Sequence, residues 1–452
     1  MPSVDPKIII RMGTHAEKSY LIKTMPYMDG IILGANLVEA TPGATASLLV
    51  TFGGKKLSCS FFIDPMTYAF GSYIDSVTGK LRTDLDWIMS DQKIKGKTVR
   101  AFKRSYRKLA EEFGDPFESA LTQKTALGTG DFTDASIVET MCRSVIDYQK
   151  RRIATEFGKD PEFKEYTDTV PTPTAFFAPY FYIEPSNWKP WADINILCAT
   201  TAAKLNKSDP THAILCVDEA FLGNQDFLDL VIEELPKTGV KAVWLWFSKL
   251  REEASTESKL SSLRSLVENL SESMEVYNLH GGYFSLALCK HGLSGISHGV
   301  GYGEQKDVVP VIGKSTPTVR YYLPDVHRRL GVPQIERCFK SLGISTSADF
   351  SQNVCDCVVC KGVLTKGLKD FSQFGDSHFS TSKSRRLAQT PAAAKRCRFH
   401  FLLRRIKERD DLKSQSLQDV VDALNTASVK WAPQPTITNE VTHLPVWEKV
   451  LK

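Results

Sequence analysis

Three cysteines stand within six residues of the chain, in the spacing C-x-C-x-x-C: Cys355, Cys357 and Cys360. Thiols this close together can converge on one metal ion, and zinc prefers four sulfur or nitrogen ligands in a tetrahedron. The candidates for the fourth ligand are His378, Cys397 and His400. We favour His400, because it lies at the start of an amphipathic helical pattern (FHFLLRRIKERDDL) that would hold a ligand rigidly. Such a ligand set leaves no open position for water, which predicts a structural zinc ion.

Carboxylates and glycines follow several apolar runs that are typical of strands. The carboxylates are Asp64, Asp218, Glu219 and Glu304, and the glycines are Gly281 and Gly282. Carboxylates at strand ends can act as general acids or bases, and glycines let backbone N–H groups approach a phosphate or a base. A structural role is the alternative for each of them, and for Asp64 that role is a helix N-cap before Pro65.

Basic residues are concentrated in two segments. From Lys383 to Arg409 ten basic residues face one acidic residue, so a charge of +9 there leaves −4 for the rest of a chain whose net charge is +5. A second run, from Lys93 to Lys108, holds eight basic residues and no acidic one, with aromatic residues interleaved. Clustered cations bind a phosphate backbone, and aromatic rings stack on unpaired bases; a solvated helix face is the alternative. The residues that we predict to contact a nucleic-acid backbone are Lys97, Arg100, Lys103, Arg104, Arg107, Arg396, Arg398, Arg404 and Arg405.

The composition is that of a globular protein. The 452 residues are 42% hydrophobic and 24% charged, which excludes wholesale disorder and allows a large core. No stretch has the roughly 18 uninterrupted apolar residues of a membrane helix, and the first residues have no apolar signal core. We therefore expect a cytoplasmic protein without membrane contact, in which the ten cysteines are reduced.

Short β-branched runs alternate with helical patterns over the first two-thirds of the chain. Strands are predicted at Lys7–Met12, Gly30–Leu33, Ser60–Ile63, Ala175–Pro179, Ala213–Val217, Ala242–Phe247, Met274–Asn278 and Ser294–His298. Helices are predicted at Trp191–Leu205, Gln225–Leu235, Ser258–Leu270 and Gly282–His291. Regular alternation favours a parallel sheet, and eight such strands predict an α/β protein with a (β/α)8, or TIM, barrel.

The spacing of these elements also predicts the domain organisation. The stretch from Asp64 to Val170 is too long for one crossover, so we expect an insertion after strand three, at about residues 80–165, with helices over Lys93–Lys108 and near Ala135–Ile153. The barrel with its insertion would span residues 1–330. A zinc-binding basic subdomain would follow at 331–411, and a C-terminal helix and tail at 412–452.

The cysteine knuckle, the late histidine before a basic helix, and the preceding (β/α)8 pattern together resemble the tRNA-guanine transglycosylase superfamily, which includes enzymes that put 7-deazaguanines into DNA. The order of elements matches from about Lys7 to Asp411. The resemblance implies that the three cysteines and His400 bind the zinc. It also implies that Asp64, in the segment FIDPMTY, acts at the sugar carbon C1′ or on a water molecule.

The chain departs from the pattern of this superfamily at two positions. The nucleophilic aspartate of the family follows strand eight, where this chain has Ser297 and His298. The guanine-reading aspartate follows strand four, where this chain has Tyr180 and Phe181. Aromatic rings can stack a base but do not pair the amidine edge of guanine, so we expect a different base. Without the usual nucleophile, removal of the base by water is favoured.

These considerations define a predicted site. The catalytic candidates are Asp64, Asp218, His298 and Glu304. The substrate-binding candidates are Tyr180, Phe181, Glu219, Gly281, Gly282 and Tyr302.

The leading hypothesis is a glycosylase that removes a modified base from DNA and leaves an abasic site, in repair or phage defence. The alternatives are a transglycosylase that exchanges a base for a 7-deazaguanine in DNA or tRNA, and a non-catalytic, zinc-stabilised nucleic-acid-binding protein. We favour DNA over tRNA, because no dedicated RNA-binding module follows the barrel pattern. The family resemblance also makes a homodimer possible.

Overall fold

The computed structural model describes residues 5–53, 59–74, 81–83, 89–159, 161, 164, 171–308, 318–379 and 387–452. Eight parallel strands form one sheet, and all eight predicted strands are confirmed. The strands are β1 (Lys7–Met12), β2 (Gly30–Gly34), β3 (Ser60–Asp64), β4 (Phe176–Phe177), β5 (Thr211–Asp218), β6 (Ala242–Ser248), β7 (Glu275–Asn278) and β8 (Gly295–His298).

The sheet curves into a nearly closed barrel, as the sequence predicts. The order of neighbouring strands is β3-β2-β1-β8-β7-β6-β5-β4. Thr174, just before β4, joins the two outer strands: its N–H donates to Phe61 O at 2.7 Å, and its Oγ1 accepts from Phe61 N at 2.9 Å. These two hydrogen bonds leave little free edge between β3 and β4.

Helices surround the barrel and fill the crossovers. They lie at Lys18–Thr24, Ala35–Ala40, Pro42–Thr51, Trp188–Leu205, Gln225–Glu234, Glu257–Ser271 and Tyr283–Ala287. The four helices predicted from the sequence are thus present, and the last is a short α-helix followed by a 3-10 turn at Leu288–His291. Within the described part of the chain, no helix has the length and apolarity to cross a membrane.

Side chains of alternate residues on each strand fill the barrel, as the period of a strand requires. Phe62 on β3 packs edge-on to Trp244 on β6, with ring centroids 5.4 Å apart, and Trp244 stacks on Tyr277 of β7 at 4.4 Å. The next inward positions toward the carboxyl ends are Asp64 and Trp246, two residues further along β3 and β6. The aromatic layer therefore lies directly beneath a layer that contains the Asp64 carboxylate, which we call the polar layer. It is at the carboxyl end of the barrel, where active sites of such barrels lie.

Among its described residues, the insertion after β3 contains two hairpins and three α-helices. The hairpin strands are Ser72–Ile74, Leu81–Thr83, Met89–Ile94 and Lys97–Phe102, and the helices are Arg104–Phe113, Phe117–Gln123 and Ala135–Lys159. The helix predicted near Ala135–Ile153 is confirmed.

The helix predicted over Lys93–Lys108 is wrong. The chain reverses at Lys95 and Gly96, whose φ angles of 49° and 79° are both positive, as a two-residue hairpin turn requires. The helix begins only at Arg104. Gly96 is the residue that favours a turn here, but the run of lysine and arginine residues was interpreted as one face of a helix.

A second part of the chain packs against the barrel after β8. It contains the hairpin strands Tyr321–Leu323 and Arg328–Leu330, the hairpin strands Ser377–Phe379 and Leu387–Gln389, and the helices Val332–Phe339, Ser347–Asn353, Val358–Val363, Pro391–Ser414, Leu417–Trp431 and His443–Leu451. The chain returns to the barrel at its end, where Trp447 Nε1 donates to Glu252 O and His291 Nε2 lies 3.1 Å from Leu451 O.

Candidate metal centre and active site

The three cysteines of the knuckle converge on His400, as the sequence predicts. Their ligand atoms and the imidazole nitrogen all lie within 4.8 Å of one another. His400 Nδ1 is 3.4 Å from the Sγ atoms of Cys357 and Cys360 and 3.8 Å from that of Cys355. Tetrahedral zinc, with bonds of about 2.0–2.3 Å, sets its ligands about 3.4–3.8 Å apart. This group can hold a metal ion, and its soft donors are those that zinc prefers.

The two other candidates for the fourth ligand do not belong to the group. His378 is exposed on the strand Ser377–Phe379. Cys397 is buried three residues before His400, but its Sγ lies 3.3 Å from Phe374 O. Cys397 and His400 lie on the same helix, Pro391–Ser414, but the Cys397 thiol contacts Phe374 O and is not one of the four converging ligands.

Two tyrosines to which sequence analysis assigned no role surround the metal group. The Tyr321 ring stacks on His400, with centroids 4.2 Å apart, and its hydroxyl is 3.3 Å from Cys360 Sγ. The backbone oxygen of Tyr322 lies 2.7 Å from His400 Nε2. An Nε2–H that donates to this oxygen leaves Nδ1 free for a metal, which is the usual way a second contact orients a histidine ligand.

A buried ionic network connects the metal group to the loop after β8. The Tyr322 hydroxyl donates to Glu408 at 2.8 Å, and Glu408 accepts from Arg405 at 2.8 Å. Arg405 and Arg329 both pair with Glu304. Both oxygens of Glu304 are therefore engaged by guanidinium groups. Glu304 thus bridges the barrel and the helix Pro391–Ser414, and its role as an acid or base stays a prediction.

Asp64 lies at the carboxyl end of β3, in the polar layer of the barrel. Its Oδ2 pairs with Arg11 of β1 at 2.6 Å, and its Oδ1 accepts from the Tyr180 hydroxyl at 2.9 Å and from Met66 N at 2.8 Å. The side chain is completely buried. Met66 has a positive φ of 54°, so the chain turns sharply away from the strand directly after Asp64. Two predicted site residues, Asp64 and Tyr180, are thus brought into contact.

Aromatic rings and a lysine surround this carboxylate. The Tyr68 ring lies 5.5 Å from that of Tyr180 and packs edge-on to Trp246 at 5.0 Å. Lys306 Nζ is 5.0 Å from the centre of the Trp246 ring and 3.4 Å from the Tyr68 hydroxyl. His280 packs edge-on to Trp246, with ring centroids 4.9 Å apart. Sequence analysis missed Arg11, Tyr68, Trp246 and Lys306, because each comes from a different part of the chain.

Asp218 and Glu219 follow β5, at the same end of the barrel. Asp218 Oδ2 accepts from Tyr182 at 2.9 Å and from Lys249 at 2.7 Å, and Oδ1 caps the next turn through Ala220 N. Glu219 is half-exposed and pairs with Lys259 at 3.2 Å. Neither residue contacts Asp64 in the described structure. Their contacts are those of structural residues, and only their position at the carboxyl end of β5 supports the predicted roles in the site.

The two glycines after β7 do not offer free N–H groups. Gly281 N donates to Ser297 O, and Gly282 N donates to Glu252 at 2.8 Å. A Cβ on Gly281 would lie 2.8 Å from Ile296, and one on Gly282 would lie 2.5 Å from Glu252. Close packing of backbone against side chains therefore requires these glycines, and the prediction that their N–H groups face a phosphate or base is wrong.

His298 and Phe181 point away from the barrel interior. His298 is fully buried, and its ring packs on Phe401 of the helix Pro391–Ser414 at 5.1 Å. Since neighbouring residues on a strand face opposite sides, Ser297 is the inward residue of β8. Phe181 packs between Phe132 and Trp191, among the outer helices. The predicted catalytic role of His298 and base-stacking role of Phe181 are therefore wrong.

A cleft of about 650 Å³ lies beside the polar layer. Loops after β6, β7 and β8 and the hairpin at 321–330 form its walls. Its polar lining includes Glu252, Tyr302, Glu304, Arg320 and Arg329. Tyr302 is the one predicted base-binding residue with its ring in this cleft, 5.3 Å from the Arg329 guanidinium. The volume and charge of the cleft suit a polar ligand of nucleotide size.

The predicted basic residues have different environments. Lys97, Arg104 and Arg107 are exposed and Lys103 is half-buried, whereas the side chain of Arg100 and residues 383, 385 and 386 lie outside the described residues. Arg396 and Arg398 are half-buried, and Arg398 lies over the Tyr20 ring. The Arg405 side chain is 0% exposed and forms ion pairs, and the Arg404 side chain is 12% exposed. The predicted contact of Arg405 with a nucleic-acid backbone is wrong, because its buried guanidinium pairs with Glu304 and Glu408. Arg404 lies 3.9 Å from the half-exposed Asp356, and its predicted contact stays a prediction.

Comparisons with known proteins assign the chain to no family. A scan against protein-family models finds no match, and a search of curated proteins finds none either. Among solved structures, the chain resembles TsXylA, an intracellular xylanase from Thermoanaerobacterium saccharolyticum JW/SL-YS485. The two are 10% identical, the alignment covers 70% of this chain and 93% of the xylanase, and the TM-score is 0.33. A likeness of this size carries no argument about function.

Proposed function

We propose that this protein is an enzyme that breaks the N-glycosidic bond of a modified, non-guanine base in DNA and leaves an abasic site. The observation that carries the proposal is the buried Asp64 carboxylate at the carboxyl end of β3, held by Arg11 and Tyr180 beside aromatic rings. The resemblance of the cysteine knuckle and barrel to the transglycosylase superfamily supports it. Repair or phage defence would be the setting of such an activity.

Asp64 suits the chemistry at the sugar. An enzyme that works on C1′ must take the nucleotide out of the stack or act on a single strand. The electron pair of the C1′–N bond leaves with the base, which takes up a proton, and positive charge develops on the sugar. The Asp64 carboxylate stabilises that charge and accepts a proton from the attacking water. Arg11 and Tyr180 hold it in one orientation, next to the buried rings of Tyr68 and Trp246.

The test uses purified protein with its metal content verified. It is incubated with unmodified DNA, DNA with modified bases and bulk tRNA, with and without a free 7-deazaguanine. Mass spectrometry detects released bases, and strand cleavage at abasic sites detects the gaps. A released base and abasic sites without added 7-deazaguanine establish a glycosylase. Release that requires the added base establishes a transglycosylase, and no release from any substrate favours a binding protein.

Asp64→Asn separates a catalytic from a structural carboxylate. The amide keeps the shape and can accept from Tyr180, but it cannot take a proton or stabilise a cation, so base release should fall by roughly 100-fold or more. Asp209→Asn is the matched control, because Asp209 precedes β5 at the opposite end of the barrel and pairs with Lys150. If folded Asp64→Asn protein released base at the wild-type rate, Asp64 would serve only to neutralise Arg11.

A further inference from the structure

We propose that Lys306 condenses with the aldehyde of an abasic site, so that the protein also cleaves the strand as an abasic-site lyase. This inference rests on the proposed function, because it names what the same site does with the product of base removal. It concerns a residue that takes no part in the ion pairs and hydrogen bonds of Asp64 described above.

The position of Lys306 is fixed by its surroundings. Its backbone oxygen accepts from Trp246 Nε1 at 2.8 Å, which ties the loop after β8 to the inward face of β6. Its Nζ lies over the rings of Trp246 and Tyr68, 5.0 and 5.9 Å from their centres. The amine is thus held at the carboxyl end of the barrel, in the layer that contains Asp64.

The amine has no carboxylate partner among the described residues, and a second cation is near. Burial, followed by the charge of Arg11, lowers the pKa of Lys306 to about 7. Burial and a neighbouring cation are the two conditions that make a lysine nucleophilic at neutral pH. Lys249, at the same end of the barrel, shows the contrast: Asp218 pairs with it at 2.7 Å and raises its pKa against the effect of burial.

The chemistry needs no further reactant. The open-chain sugar of an abasic site carries an aldehyde at C1′. The Nζ lone pair forms a bond to C1′, and the carbonyl oxygen leaves as water, which gives an imine. The imine acidifies C2′–H; when a base removes that proton, the C3′–O bond breaks and the 3′ phosphate leaves with its electron pair. Hydrolysis of the imine then restores the amine.

We assign removal of the C2′ proton to His280, which packs on the same Trp246 ring as Lys306. Its Nδ1 lies 3.1 Å from Gly303 O, and its Nε2 has no hydrogen-bond partner in the described structure. Burial, Arg11 and Lys306 lower the pKa of His280 well below the ordinary value, so the ring is neutral at pH 7. An Nδ1–H that donates to Gly303 leaves Nε2 as a free proton acceptor beside Trp246.

The experiment traps the imine. Wild-type protein is mixed with an oligonucleotide that already contains one abasic site, as a single strand and as a duplex, in the presence of sodium borohydride. Reduction turns an imine into a stable amine, and the covalent adduct shows as a band of higher mass in a denaturing gel. Peptide mass spectrometry locates the modified lysine in the wild-type protein, so the result does not depend on whether a variant folds.

The expected result is an adduct on Lys306 that falls at least about tenfold in Lys306→Arg, which keeps the charge but cannot form the imine. Lys150→Arg is the matched control and should keep the adduct, because Lys150 also lies over an aromatic ring, that of Phe176, but next to Asp209. No adduct, or an adduct on other lysines, would overturn the inference. Because the abasic site is supplied ready-made, a failure here is distinct from a failure to release base from intact DNA.

Discussion

Glu408 is a fully buried carboxylate with three hydrogen-bond donors around it. It accepts from the Tyr322 hydroxyl at 2.8 Å, from His327 Nδ1 at 2.9 Å and from Arg405 at 2.8 Å. Burial by itself would raise the pKa of Glu408, but Arg405 and His327 outweigh that effect and lower the pKa to about 2. The residue therefore stays ionised in the folded protein over a range of pH where an exposed glutamate would be protonated.

Glu408→Gln should destabilise the protein by about 3–5 kcal/mol at pH 7, because it leaves part of the charge of buried Arg405 without its partner. A carboxylate whose pKa is lower in the folded than in the unfolded state contributes stability that is complete above its ordinary pKa of 4.5 and is lost as pH falls toward 2. The wild-type advantage should therefore shrink over that interval, as measured by urea unfolding at a series of pH values. The exposed Glu233→Gln serves as control and should match the wild type; an unchanged difference down to pH 2 would refute the assignment.

The helix Pro391–Ser414 is the element that joins the metal group to the barrel. Thr390 caps it by accepting from Ala393 N, and Pro391 occupies its first turn, so the start of the helix is strongly specified. Along its length it presents His400 to the cysteines, Arg405 to Glu304, and Arg409 to Asp29 at 2.8 Å. The charges of this helix therefore stabilise the interface between its own subdomain and the barrel.

Cys357→Ser should remove the metal and lower the melting temperature, because a hydroxyl is a poor replacement for a thiolate ligand. Cys397→Ser is the matched control on the helix itself, since a serine hydroxyl can still donate to Phe374 O. Elemental analysis should find about one zinc per chain in the wild type and in Cys397→Ser, and little in Cys357→Ser. Chelation should lower the melting temperature of the wild type but leave that of Cys357→Ser unchanged. Full zinc content in Cys357→Ser would show that the knuckle does not bind the ion.

The two basic runs of the sequence differ in how much of their positive charge reaches the surface of the molecule. In the C-terminal run, Arg404, Arg405 and Arg409 are largely buried against carboxylates. In the insertion, Lys93, Lys95 and Lys97 are exposed around a hairpin turn. An exposed hairpin with three lysines is free to meet a phosphate backbone, so we place the nucleic-acid contact of the proposed enzyme there.

Replacing Lys93, Lys95 and Lys97 together by alanine should weaken DNA binding on the order of tenfold at low salt and lower the slope of log affinity against log salt by about 2–3. The matched control replaces three exposed lysines elsewhere on the barrel, Lys204, Lys207 and Lys237. Fluorescence anisotropy over a range of salt concentrations measures both quantities. Equal losses in the two triple variants would mean that the hairpin has no special part in binding.

Secondary structure and metal ligands could be predicted from the sequence because both depend on local patterns. The eight strands appear as short β-branched runs, and the cysteine knuckle is confined to six residues. The hairpin at Lys95–Gly96 was missed although Gly96 marks it, since the run of basic residues resembles a helix face. The direction of side chains at strand ends was predicted poorly, because a shift of one residue along a strand reverses which side chains point into the barrel. In β8 that shift exchanges Ser297, which points inward, with His298, which points outward.

The sequence by itself determined that this protein is a parallel (β/α)8 barrel with a late Cys₃His group, because periodicity and cysteine spacing act over a few residues. Only the tertiary structure decided which charged groups are neutralised and which are available. Glu304 and Arg405 are both charged candidates in the sequence, and they pair with each other across 101 positions. Arg11, Asp64, Tyr180 and Lys306 meet at one end of the barrel because parallel strands bring their carboxyl ends together, however far apart they lie in the chain.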